Sequence, residues 1–339
     1  MTVKVGINGF GRIGRLLYRA AMERKTTIDF VAVNDLADAK QNAQLLKYDS
    51  VHGRFPGTVE VKGTDMIVNG KVLKCLQVKD PTMLPWKDMD VYLAVESTGL
   101  FTNREGASKH LTAGAKKVLI SAPAENPDVT IVLGVNDDAY DPVKHNILSN
   151  ASCTTNGLAP ISKVLDDSFG LEKAFMTTVH SYTNDQKVQD IVHKDPRRAR
   201  AAAINIIPTS TGAAKAIGEV LPTCSGRMNG VALRVPTPDV SLVDLTAVLS
   251  QDVTKEDINA AMKKAAEGPM KGVLEYSEDP LVSTDILHTT WSSVFDSQLT
   301  MVLGNKSNFV KVFSWYDNEW GFSNRMVDFI ELVGKKAGF

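Results

Sequence analysis

Cys153 sits among hydroxyl residues in "SNASCTTN" (149–156), and His180 closes the β-branched run "AFMTTVH". Ser152 and Thr154 are good helix N-caps, so Cys153 is expected at or beside a helix N-terminus, where the dipole lowers a thiol pKa. His180 opens onto the polar "SYTND", a suitable place for a base that could pair with the thiol. The bland alternatives are a buried structural cysteine and a structural histidine, and spacing alone does not bring the two together.

A second constellation lies near the N-terminus. Gly9, Gly11 and Gly14 in "GFGRIG" form G-x-G-x-x-G directly after an apolar run and at the start of a helical pattern. Glycines there let the backbone approach a pyrophosphate, and the helix N-terminus supplies donors and partial positive charge. Asp35 ends the next strand pattern, where a carboxylate accepts from adenosine ribose hydroxyls and repels a 2′-phosphate. Strand, glycines, helix and acid in that order predict NAD binding; an ordinary tight turn and a solvated aspartate are the weaker reading. Thiolate, imidazole and nicotinamide together suit aldehyde oxidation. The thiolate adds to the carbonyl, the base takes the proton, hydride leaves, and the resulting thioester must be released by water or by phosphate.

The rest of the composition narrows the classes. The chain has 339 residues, with 38 Lys plus Arg against 39 Asp plus Glu, so no global basic field draws it to nucleic acid or to an anionic membrane. Any anion must be caught locally. Its three cysteines, Cys75, Cys153 and Cys224, are widely spaced, which argues against a disulfide framework or a CxxC metal site, and no metal is expected. The chain passes from Met1 at once into "VKVGINGFG", and no apolar run approaches the roughly 20 residues of a membrane span. A soluble, cytoplasmic protein is expected.

Two domains must position these residues. Up to residue 150, short β-branched runs alternate with helical patterns, beginning with "VKVGIN", a helix from about Arg12 to Arg24 and "FVAVND". That alternation predicts an α/β, Rossmann-type parallel sheet covered on both faces. Beyond Ser152, a helix is expected over about 153–168, with Leu158, Ile161 and Leu165 on one face. Longer runs such as "GVALRVPTPDVSLVDLTAVLS" follow without regular helices between them, predicting an α+β domain with a mostly antiparallel sheet. The boundaries are placed at 1–151 and 152–318, with 319–339 as a terminal helix packing back on the first domain. Between Thr183 and Pro208, the polar segment carrying "HKDPRRAR" is long for a plain connection, and such a segment is usually functional or disordered.

With "INGFGRIGR", "SNASCTTN", "HSYTNDQ", "RRARAAA", "IIPTSTGAAKA", "LRVPTPDVSLVDL" and "WYDNEWGFSNRM" in this order and spacing, the chain resembles the phosphorylating glyceraldehyde-3-phosphate dehydrogenases over essentially its whole length. "RRARAAA" looks more like the bacterial and plastid branch. The resemblance implies that Cys153 is the nucleophile, His180 the base and Asn318 the residue fixing the nicotinamide carboxamide. It extends the cofactor set to Asn8, Arg12, Ile13, Ser97, Thr98, Gly99 and Ser121. It places the substrate phosphate on Thr183 and Arg234, with Arg198 also among the phosphate-binding residues, and the attacking inorganic phosphate on Ser152, Thr154, Thr211 and Gly212. It also implies a homotetramer, with the 184–208 loop lining a neighbouring subunit's cofactor pocket. For Arg197, Arg198 and Arg200 the alternative is a solvated charge run, for "TSTGAA" a plain helix cap and for Arg234 a surface cation.

Two departures stand out. Gly157 replaces a second cysteine common in relatives, and Ile191-Val192 replaces a leucine–proline pair typical of NAD-specific ones. The nearest alternative is erythrose-4-phosphate dehydrogenase, which would share Cys153, His180 and Asn318; the intact "SYT" and "TG" favour phosphate as nucleophile. A cysteine hydrolase would leave Gly9, Gly11, Gly14 and Asp35 unexplained, and a non-catalytic NAD-binding protein would not need Cys153, His180, Thr183 and Arg234.

Overall fold

The computed structural model describes residues 2–339, and the chain divides into two compact units. Unit 1 comprises residues 1–131, 137–151 and 323–339; unit 2 comprises 132–136 and 152–322.

In unit 1 the order is β1 (Lys4–Asn8), α1 (Arg12–Glu23), β2 (Asp29–Asn34), α2 (Ala39–Lys47), β3 (Tyr48–Asp49), β4 (Gly53–Arg54), β5 (Val59–Lys62), β6 (Asp65–Val68) and β7 (Lys71–Leu76). Then come β8 (Leu93–Glu96), α3 (Arg104–Thr112), β9 (Lys117–Ile120), β10 (Val129–Thr130) and β11 (Ile147–Ser149). Nine strands form one sheet in the order β10-β11-β9-β8-β1-β2-β7-β6-β5. The strands from β10 to β7 pair in parallel; β5, β6 and β7 pair antiparallel, so the sheet is mixed at one edge. The expected all-parallel sheet misses this edge because a meander needs only tight turns, here with Gly63 and Gly70 at positive φ, and no covering helix. "TIVLGVN" likewise yields only the short β10 before the chain turns away.

β1 and β8 are adjacent, yet the chain leaves β1 for β2 on the opposite side, so the strand order switches between them. Crevices at the carboxyl ends of strands at such a switch are where α/β sheets bind ligands. α1 packs through Leu16, Leu17, Ala20 and Ala21, all fully buried, each leucine contributing roughly 1.5–3 kcal/mol. Gly6 is required in β1 because a Cβ there would lie 2.7 Å from the buried Trp86 ring.

In unit 2, α4 (Cys153–Phe169) leads into β12 (Leu171–Ser181), β13 (Ile207–Ser210), α5 (Ala213–Val220), β14 (Met228–Val235), β15 (Ser241–Val253) and α6 (Lys255–Glu267). There follow β16 (Leu274–Ser277), α7 (Ser283–Ile286), β17 (Ser293–Asp296), β18 (Met301–Val302) and β19 (Ser307–Tyr316). The sheet runs β13-β14-β12-β15-β19-β17-β16, with β18 on β19. It is mostly antiparallel; β12–β14 and β16–β17 are the parallel pairs. Burial alternates along β12, β15 and β19, the period-two signature of a sheet with one covered face. The expectation of no helices between the long runs is corrected by α5 and α6. The second is announced by a Thr254–Asp257 capping box that hydropathy alone does not reveal. α4 buries Leu158, Ile161 and Leu165 as expected. α8 (Trp320–Lys336) starts before "RMVDFIELVGKKAG", and most of it clusters with unit 1.

Candidate active site

Ser152 is the N-cap of α4, its Oγ accepting from the Thr155 N–H at 3.0 Å, so Cys153 occupies the first helical position. The preceding Ala151 is fully buried at φ 55°, a strained conformation for a residue with a Cβ, held directly before the thiol. His180 lies near the end of β12, and its Nε2 is 3.5 Å from Cys153 Sγ. The thiol and imidazole that spacing alone could not join therefore meet.

The helix-dipole expectation for the thiol is corrected. Burial is the dominant influence on Cys153 and raises its pKa, opposed by the Arg234 charge and by hydrogen bonding from Thr154. His180, only 3% exposed, is held down to about 3, first by burial and then by the Arg234 guanidinium. Both shifts favour the neutral forms, so the thiol proton must move as the sulfur attacks.

Strand register explains Arg234. β14 pairs in parallel with β12 and sets Arg234 opposite His180. Arg234 Nη1 lies 2.7 Å from His180 Nδ1 and donates to the Ser181 carbonyl at 2.9 Å, while Nδ1 is 2.8 Å from that carbonyl. Arg198 belongs to the same cationic neighbourhood, lowering the pKa of both His180 and Arg234. Its guanidinium is tied to Asp185 at 2.5 Å and to Thr209 Oγ1 at 2.9 Å. Thr183 is exposed just beyond β12, its N–H bonded to Gln186. Thr211 and the exposed Gly212 open α5, where nothing lies within 4 Å of a Cβ built on Gly212.

Two hydroxyls are differently engaged than the sequence suggested. Ser152 Oγ serves as the cap, and Thr154 Oγ1 is buried against the Tyr316 hydroxyl at 2.9 Å. Tyr316, missed from sequence, also bonds Thr178 Oγ1 at 2.8 Å, and its ring meets His180 edge-on. A side chain at 157 would press within 2.9 Å of that ring, so a cysteine there would need the ring to shift. Asn318 Oδ1 accepts from the Ser181 and Ser241 hydroxyls at 2.9 and 2.7 Å, which leaves its amide nitrogen as a donor for another partner. Nothing in the spacing of Ser181, Ser241 and Tyr316 signals this; only the β12–β15–β19 register aligns them.

The cofactor candidates gather in unit 1 at the carboxyl ends of β1, β2, β8 and β9. Gly9 has φ 92°, and a Cβ on it would meet the Ser97–Thr98 backbone at 2.6 Å. A Cβ on Gly14 would lie 2.2 Å from the Gly9 carbonyl, whereas Gly11 faces open space. Gly11 is the N-cap of α1 and provides no side-chain cap, so the positive end of the helix dipole meets the crevice without one. Ser97 Oγ donates to the Gly9 carbonyl at 2.7 Å, the Ser121 N–H donates to the Glu96 carbonyl at 3.0 Å, and Gly99 has φ 74°. Asp35 Oδ2 accepts from the Phe10 N–H at 2.9 Å, holding the acid beside the glycine turn with acceptor capacity to spare. Ile13 is half-buried, and the Arg12 side chain pairs with Asp49. A cradle that excludes side chains, a bare helix N-terminus and a neighbouring carboxylate fit a dinucleotide.

Residues 3–104 match the family profile described as glyceraldehyde 3-phosphate dehydrogenase, NAD binding domain, and residues 152–318 match its C-terminal domain. The chain belongs to the glyceraldehyde-3-phosphate dehydrogenase family. Relatives named glyceraldehyde-3-phosphate dehydrogenase from Priestia megaterium and Geobacillus stearothermophilus, and glyceraldehyde-3-phosphate dehydrogenase 1 from Bacillus subtilis, are each 59% identical to it over 337 residues. Each match covers 99% of this chain and 100% of the relative. Within this family the two constellations have distinct places: the glycine turn falls in the NAD-binding match, and Cys153, His180 and Asn318 fall in the C-terminal match.

Proposed function

We infer that the protein catalyses the NAD-dependent, phosphorylating oxidation of glyceraldehyde 3-phosphate to 1,3-bisphosphoglycerate. The observation that carries the chemistry is the 3.5 Å approach of Cys153 Sγ to His180 Nε2 beside Arg234. Cys153 Sγ adds to the aldehyde carbon while His180 Nε2 takes the thiol proton and returns one to the carbonyl oxygen, giving a thiohemiacetal. His180 then removes the hydroxyl proton as the C–H bond breaks with its electron pair, leaving a thioester on Cys153. NAD, when bound, would supply the hydride acceptor. A phosphate oxygen attacks the thioester carbon, the C–S bond breaks, and the sulfur recovers a proton from His180.

Arg234 and Thr183 are assigned to the substrate phosphate. The attacking phosphate is assigned to Thr211, Gly212 and the backbone around Ser152 and Thr154, since both of those hydroxyls are bonded elsewhere. Arg198 supplies charge to the anion sites. Asn318, with its oxygen engaged and its amide nitrogen left as a donor, suits the nicotinamide carboxamide. Residues 1–151 with the terminal helix are assigned to cofactor binding and 152–318 to catalysis. Mixing the enzyme with NAD and aldehyde but no phosphate should release NADH in a burst stoichiometric with Cys153, followed by near arrest until phosphate is added. A linear phosphate-independent rate would refute thioester release by phosphate.

We also propose a homotetramer. Val188, Ile191, Val192, Ile204 and Ile206, all exposed apolar side chains in the 184–208 region, support self-association. A solution mass near four times the 36.8 kDa chain would bear this out, and a monomer would refute it. Among the described residues, no helix is long and apolar enough to cross a membrane. A cytoplasmic location is proposed on the three free cysteines.

A further inference from the structure

Beneath the crevice between β1 and β8 lies a closed set of polar side chains that the mechanism does not use. Glu96, at the end of β8, and His110, on α3, have fully buried side chains. Glu96 Oε2 accepts from Asn8 Nδ2 at 2.7 Å and from His110 Nε2 at 2.9 Å. Its Oε1 accepts from the Thr98 N–H at 2.8 Å and from the Thr98 hydroxyl.

The direction of every bond is dictated from outside the set. The Val78 N–H donates to Asn34 Oδ1, so Asn34 Nδ2 donates to the Val78 carbonyl and to Asn8 Oδ1 at 2.7 Å. That turns Asn8 Nδ2 towards Glu96. On the other side, Trp86 Nε1 has only a proton to give, and it lies 3.1 Å from His110 Nδ1. His110 must accept there, which places its own proton on Nε2, facing Glu96. Four donors therefore converge on a group that only a carboxylate, with acceptors alone, can satisfy.

Those donors come from both walls of the crevice. Asn8 leads directly into the Gly9 turn, Thr98 lies in the 97–99 loop, and the Ser97 N–H donates to the Asn8 carbonyl at 2.8 Å. We propose that Glu96 is a positioning residue for the cofactor, its carboxylate joining the glycine turn to the 97–99 loop so that the crevice keeps the width a dinucleotide needs. The proposal rests on the crevice being the NAD site. Glutamine at 96 keeps the size, but whichever way it turns, its N–H₂ faces two donors.

Calorimetric titration of NAD into the wild type and Glu96→Gln tests this, with each variant's melting temperature measured separately. At least tenfold weaker binding by folded Glu96→Gln is expected, with kcat at saturating NAD within about twofold of wild type. A merely structural role would lower the melting temperature and leave the affinity of the folded protein unchanged. Affinity within twofold of wild type overturns the proposal alone, whereas no NAD binding by the wild type overturns the cofactor reading and this proposal with it. If Glu96→Gln does not fold, ¹⁵N-histidine NMR of the wild type decides. His110 should carry its proton on Nε2 and its ring signals should move when NAD is added; a proton on Nδ1, or signals indifferent to NAD, would overturn the proposal.

Discussion

Arg234 and Ser181 compete for one nitrogen of His180: the Arg234 Nη1 donor lies 2.7 Å from Nδ1 and the Ser181 carbonyl 2.8 Å from it. If Nδ1 donates to the carbonyl, the Nε2 lone pair faces Cys153 and can act as a base. If Nδ1 accepts from Arg234, the proton sits on Nε2 and the base is blocked. An anionic substrate drawing the guanidinium away would favour the active tautomer.

Replacing Arg234 by glutamine should therefore act in two ways. Loss of the proposed phosphate contact is expected to lower kcat/KM for the phosphorylated aldehyde by about a hundredfold, or ~2.7 kcal/mol. Removal of the neighbouring charge should let the His180 pKa rise from about 3. Because the neutral ring is the active form, the acid limb of the kcat/KM profile should move to higher pH. An unchanged limb would show that Arg234 does not act on His180.

Serine in place of Cys153 should abolish aldehyde oxidation, by at least a thousandfold, because the hydroxyl is a far weaker nucleophile beside the same base. NAD affinity should stay within twofold of wild type, since the glycine turn lies in the other unit. Substantial residual turnover would mean that the nucleophile is misassigned.

His180 also makes a prediction about stability. Its folded-state pKa, about 3, is below the ordinary 6.5, so the unfolded chain binds more protons between those values. The contribution is fully present above about pH 6.5 and is lost as pH falls towards 3. Between pH 6.5 and 5, the wild type should lose about 2 kcal/mol more than His180→Asn, which does not titrate. Parallel denaturant titrations at the two pH values check this, and equal losses would contradict the buried neutral imidazole.

Asp35 should enforce NAD over NADP by at least tenfold in kcat/KM, about 1.4 kcal/mol, despite Ile191-Val192. Asp35→Gly should narrow that gap. Comparable wild-type rates with both cofactors would mean that the acid beside Phe10 does not discriminate.

These positions also mark how far the sequence reaches. The glycine turn, Asp35, the capped Cys153 and the α/β alternation are local patterns, and each was legible. The meeting of Cys153 with His180 was not, since it depends on α4 returning over the sheet that contains β12. Arg234, Tyr316, Ser181 and Ser241 owe their places to cross-strand register, which no spacing along the chain encodes. The direction of the thiol pKa is not legible for the same reason: the dipole is a local cue, whereas burial is a property of the packed unit. The antiparallel edge is hard to read because tight turns start it, and α6 because its Thr254–Asp257 capping box, rather than hydropathy, starts it.

The central claim is that phosphate releases a triose thioester from Cys153. The most direct measurement is the initial rate of NADH formation from glyceraldehyde 3-phosphate, with erythrose 4-phosphate alongside, each with and without inorganic phosphate. The expected rate requires phosphate and strongly favours the triose. A phosphate-independent rate, or a preference for the tetrose, would contradict it.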